Sequence, residues 1–201
     1  MHNLAPMKTT RSIATLFLAC ALLSNQAFAA EAIAVTSRLP VTRAEFIKTM
    51  IDSLYPQEKI NQCFRKLSPS RYTLLFTDVS IDESYAPELC VAMRLGIVQG
   101  YGDGSFHPNR PVNFAEAAKI ITRSHLISPV AGLPDDAPWF ARYVYALEER
   151  GAMPSSIGAF DQPMTMDLLD GILYRLEQNV TNLPSIGYDE LRKKTEAKYQ
   201  R

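Results

Sequence analysis

The chain has 201 residues, with 21 basic and 21 acidic side chains and a mean hydropathy of −0.08. That balance lacks the basic excess of a nucleic-acid binder and the polarity of a disordered chain. The length suits one domain with a modest core, and no apolar run after residue 29 reaches the roughly twenty residues that span a bilayer.

The N-terminus reads as an export signal. Met7-Lys8-Thr9-Thr10-Arg11 is a short positive region, Ser12 to Leu23 is apolar, and Ala27-Phe28-Ala29 has the small–x–small pattern of a cleavage site. Cleavage after Ala29 is the expectation. The alternative is lipidation at Cys20, because Phe17-Leu18-Ala19-Cys20 loosely resembles a lipoprotein signal. Removing residues 1–29 takes away Lys8 and Arg11 and no acid, so the mature chain is acidic by two charges. Residues 30–38 are a short linker. Cys63 and Cys90 survive cleavage, and an even pair in an oxidising compartment reads first as a disulfide, with two buried free thiols as the alternative. With only His107 and His125 nearby, they lack the spacing of a zinc site.

The repeat region spans 39–180. A half repeat (39–55) opens at Pro40-Val41-Thr42-Arg43-Ala44-Glu45, where Thr42 and Glu45 form a capping box and Phe46, Met50, Ile51 and Leu54 share a helix face. Residues 56–73 are an insertion. The next unit (74–126) has Tyr85-Ala86, an apolar helical run to Gly96, the turn Gly100-Tyr101-Gly102-Asp103-Gly104, then Phe106 and Pro108. A second helix follows from Asn113, again with a capping glutamate, Glu116. The last unit (133–180) is degenerate: Phe140-Ala141, a run to Gly151, Phe160 and Pro163, then a helix from Thr165 that has lost the glutamate. Three equivalent amphipathic helices predict a mainly α, pseudo-threefold bundle with short turns and no sizeable sheet. Residues 181–201 read as a polar tail, helical after Pro184, whose Lys193, Lys194 and Lys198 form a solvated face. Tyr85 and Trp139 read as core-facing aromatics, with sugar stacking open to them only if a face is exposed, His107 as a surface turn residue, and Asp103-Gly104 as a structural turn, since the carboxylates of a calcium loop are missing. No catalytic or phosphate-binding motif is present, so neither enzyme activity nor a cofactor or metal is expected.

These units resemble surface-layer homology (SLH) repeats. The family pattern F-x-D-V, aromatic–Ala, G-I-V-x-G-Y-x-D-G-x-F-x-P and T-R-A-E-F is met by Phe76-Thr77-Asp78-Val79, Tyr85-Ala86, Gly96-Ile97-Val98-Gln99-Gly100-Tyr101-Gly102-Asp103-Gly104-Ser105-Phe106-His107-Pro108 and Thr42-Arg43-Ala44-Glu45-Phe46. The resemblance implies a non-catalytic envelope module that attaches non-covalently to anionic cell-wall polysaccharide or a peptidoglycan-linked polymer. It also implies a groove between repeats where the arginine of T-R-A-E-F, here Arg43 followed by Glu45, holds the anionic sugar. Asp78, Gly100, Tyr101, Asp103 and Gly104 line or shape that groove. Phe114 and Met166 stand where the other units would carry the arginine, and Arg110, just before Pro111, is the substitute candidate in the second groove. The alternative is an interaction or scaffold module for a protein partner on the envelope, in which Phe114 and Met166 offer apolar surface where the sugar grooves have decayed.

Overall fold

The computed structural model describes residues 38–66 and 76–200. The expected export signal, Cys20 and nearly all of the linker lie outside the described residues. From Pro40 onward the chain forms one compact unit. Among the described residues it has seven helices: α1 (Arg43–Leu54), α2 (Gln57–Arg65), α3 (Ala86–Arg94), α4 (Phe114–Ser124), α5 (Ala141–Glu148), α6 (Met166–Gln178) and α7 (Tyr188–Tyr199). The mainly α expectation holds.

The helix starts follow from local chemistry. Thr42 and Asn113 are extended N-caps whose side chains accept from Glu45 N–H and Glu116 N–H, while each glutamate reaches back to its cap's amide. Thr165 caps α6 through Leu168 N–H alone. The three segments leading into these caps close a ring. Val41 N–H donates to Met164 O (2.9 Å), Met164 N–H to Val112 O (2.8 Å), and Val112 N–H to Val41 O (3.1 Å). Each segment donates to one neighbour and accepts from the other, which is the hydrogen-bond signature of a threefold frame. The apolar faces of the capped helices meet below it, burying Phe46, Met50, Phe114, Ile121, Leu169 and Ile172.

The first helix of each complete unit ends in one way. Gly96 (φ 67°) and Gly151 (φ 61°) take the left-handed conformation that suits glycine. Ile97 N–H and Ala152 N–H then fold back to Ala92 O and Leu147 O. Arg123 of α4 and Arg175 of α6 donate to the carbonyls of Gly96 (2.8 Å) and Gly151 (3.1 Å), tying each second helix to the exit of the first.

Two segments lie outside this frame. The insertion forms α2, and a disulfide joins Cys63 on it to Cys90 on α3, 27 residues apart. A loop of that length contributes about 3–4 kcal/mol by constraining the unfolded chain. The C-terminal segment is more than a solvated tail. Ile186, Tyr188 and Leu191 are buried, and Tyr188 stacks on Tyr145 and packs on Phe160, with ring centroids 4.2 and 5.2 Å apart. Lys193, Lys194 and Lys198 do face solvent, Lys198 pairing with Asp161.

Candidate functional site

Helix α1 begins against the turn of the next unit: Arg43 N–H donates to Arg110 O and Ala44 N–H to Pro108 O. This docking swings the Arg43 side chain inward, where it is 6% exposed. Its Nε donates to Phe106 O (2.9 Å), and its guanidinium lies over the rings of Tyr101 and Phe106, 5.1 and 4.8 Å from their centroids. No carboxylate pairs with it among the described residues. Burial lowers its pKa from the ordinary value, partly offset by Tyr101 and Glu116.

The turn under Arg43 is rigid for identifiable reasons. Asp78 accepts from Phe106 N–H (2.7 Å) and His107 N–H (2.8 Å), holding His107 at φ 56°. Asp103 accepts from Ser105 N–H and Oγ–H, which lowers its pKa. Gly104 turns at φ 79° and accepts from Thr77 N–H. A side chain on Gly100 would sit 2.5 Å from the Phe76 ring and 2.8 Å from Ser105 O, so only glycine fits there.

A cleft of about 210 Å³ opens beside Arg43. Arg43, the Ile97–Tyr101 segment, Glu116, Lys119, Ile120 and Trp139 line it, so three units contribute. Of the sequence candidates, Arg43, Gly100 and Tyr101 are wall residues. Asp78, Asp103 and Gly104 brace the turn behind them. Glu45 is held by its capping box with Thr42. Arg110 lies at the edge, where it donates to Tyr101 Oη (2.6 Å) and forms an ion pair with Glu116. That pairing consumes its charge and neutralises the one acid in the cleft wall.

Among the wall residues that were not sequence candidates, Lys119 and Trp139 bring a charge and an exposed ring. Trp139, expected in the core, is 55% exposed. Its neighbour Phe140 takes the inward position and meets it edge-on at 5.6 Å. Lys119 places its Nζ 5.7 Å from the Trp139 ring. The repeat alignment held the signal for Lys119. Its counterpart Lys48 is paired with Asp52 (2.9 Å) and buried Glu88 (3.1 Å), which raise its pKa, the Asp52 hydrogen bond most. At the positions equivalent to those two acids, Lys119 faces Arg123 and Tyr143. Its pKa is lowered, first by burial and then by Arg123 and Arg43. Among the described residues, the cleft thus holds two cations without acidic partners and one exposed aromatic face.

The second equivalent place is filled. Phe114 N–H and Ala115 N–H dock on Gln162 O and Phe160 O as α1 docks on its own turn. However, Phe114 is fully buried, and Pro154 packs over Gly171 at the position equivalent to Lys119. The idea that Phe114 and Met166 offer apolar surface to a partner is therefore corrected: Phe114 is core, and Met166 is half-buried against it.

No helix among the described residues is long and apolar enough to cross a membrane. A search of curated proteins returned no match. Residues 75–118, which hold the braced turn and the first turn of α4, match the family model of the S-layer homology domain. Such domains are non-catalytic modules that attach proteins to cell-wall polymers at the cell surface. That match supports reading the chain as an S-layer homology domain protein.

Proposed function

We propose that the cleft at Arg43 binds an anionic group of a cell-wall polysaccharide or peptidoglycan-linked polymer, and that the exported protein uses it to attach non-covalently to the wall. One observation carries this reading: a buried guanidinium with a single backbone hydrogen bond and no acidic partner. A buried, unpaired charge costs several kcal/mol, and an incoming carboxylate, held bidentately, offsets that cost. Lys119 adds a second positive charge. The exposed face of Trp139 suits stacking on the apolar side of a sugar ring. The domain then works as a tether. Its specificity lies in one cleft, and the second equivalent place serves only to hold the fold.

The test is sedimentation of the protein with purified cell-wall sacculi. Binding by the unmutated protein, and its loss in Arg43→Met, is the expected result. Failure of the unmutated protein to bind would sink the proposal. Trp139 is the single tryptophan, so its emission reports occupancy of the cleft directly.

A further inference from the structure

The insertion builds a surface that the repeats do not account for. Helices α2 and α3, joined by the Cys63–Cys90 disulfide, flank a groove of about 480 Å³. Tyr55, Val91 and Leu95 give it an apolar lining, and Leu95 is 53% exposed. Lys59, Lys66 and Arg94 form its rim, and no acidic residue among the described residues lines it. Among the described residues, none of these three cations pairs with a carboxylate. The chain as a whole balances 21 basic against 21 acidic residues, so this one-signed rim is a local feature. The groove shares no lining residue with the cleft at Arg43.

We infer that this groove docks the protein on an anionic lipid surface, its apolar lining receiving acyl carbon while Lys59, Lys66 and Arg94 meet lipid phosphates. Exposed apolar residues flanked by lysine and arginine are the chemistry of interfacial binding. An acidic protein is the less fitting occupant. A protein interface needs about one hydrogen bond per 100–200 Å², and among the described residues the lining offers only Gln62 and the Tyr55 hydroxyl besides its three cations. Phosphates need only the cations, and acyl chains need no hydrogen bonds.

The experiment is co-sedimentation with two kinds of vesicle: pure phosphatidylcholine, and one part phosphatidylglycerol to three parts phosphatidylcholine. The unmutated protein is compared with Lys59→Glu/Lys66→Glu/Arg94→Glu and with Leu95→Ser. Residues 1–37 are common to all, so any contribution they make cancels. The expected result is binding to the anionic vesicles that weakens with salt, falls about fivefold per cation removed and by more than about a hundredfold for the charge-reversed triple variant, and falls also for Leu95→Ser. Equal binding by the variants and the unmutated protein overturns the inference. So does equal binding to neutral vesicles, or capture of an acidic peptide without vesicle binding. If the triple variant fails to fold, Arg94→Gln and Leu95→Ser decide the matter. Retained sacculus binding in these variants separates this surface from the cleft at Arg43.

Discussion

The first and second grooves share one backbone frame and are filled in opposite ways. In both, a capped helix docks its first two amides on the carbonyls of the following turn, and an arginine ties the second helix to a glycine exit. The first groove then holds a buried cation, a lysine and an exposed tryptophan. The second holds Phe114, Pro154 and Gly171, all of which pack. The turns are braced differently too. Asp78 holds the Phe106 amide in the first, whereas Thr195, on the C-terminal helix, holds the Phe160 amide in the second (3.0 Å). The frame is therefore separable from the site. What a groove binds depends on a few side chains, and a unit that loses its own brace can borrow one.

The largest expected effect comes from removing that borrowed brace. Truncation after residue 181 removes Ile186, Tyr188 and Leu191, each worth about 1.5–3 kcal/mol of burial. Thermal unfolding should show a loss above about 4 kcal/mol, on the order of 10 °C in Tm. A drop of a degree or two would show that the second groove stands without the tail. Next, the residues of the two grooves can be exchanged. Phe114→Arg puts an unpaired charge in the core and should cost about 3–5 kcal/mol. Arg43→Met, by contrast, should leave Tm level or higher, because apolar replacement of a buried charge is often neutral or stabilising. The same Arg43→Met change should weaken sacculus binding by about thirtyfold or more. A steep fall in Tm for Arg43→Met would make Arg43 a structural residue.

The braces themselves predict a smaller contrast. Asp78→Ala removes two bonds to a charged acceptor, each worth about 1.5–3 kcal/mol, while Thr195→Val removes two neutral bonds, from Phe160 N–H and to Leu191 O, each worth about 0.5–1.5 kcal/mol. Denaturant titration should rank them in that order, and the reverse ranking would break the comparison. The smallest effect is on pH dependence. A bound anion favours the Lys119 ammonium, so affinity is full below the pKa of free Lys119 and falls as pH rises through it. Because that pKa is lowered, the fall should begin below the ordinary lysine range. It should span a few-fold in affinity and flatten in Lys119→Arg, whose charge does not titrate there. An unchanged profile in Lys119→Arg would remove Lys119 from the site.

The repeats, the caps and the glycine exits were legible because each depends on residues close in sequence. Thr42 with Glu45 and Asn113 with Glu116 write their helix starts within four positions, and Gly96 and Gly151 mark the exits. The disulfide was legible as a pair of cysteines once export was assumed. Trp139 was misread because an aromatic beside an aromatic–Ala pair gives no hint of which ring turns inward. Phe114 was misread as surface because its burial depends on a segment far along the chain: its amide docks on Gln162 O, that of Ala115 on Phe160 O, and its ring joins the core that contains Phe160.

The sequence by itself determined the helix starts, the glycine exits and the presence of arginine at only the first of the three capped starts. Those are consequences of local propensity, capping and periodicity. The tertiary structure decided which charges remain unsatisfied. Arg110 and Lys48 carry the same charge as Arg43 and Lys119, yet Glu116, Asp52 and Glu88 neutralise them. Whether a cation is spent on the fold or left for a ligand depends on which carboxylates the fold brings within a few ångströms. Spacing along the chain does not record that.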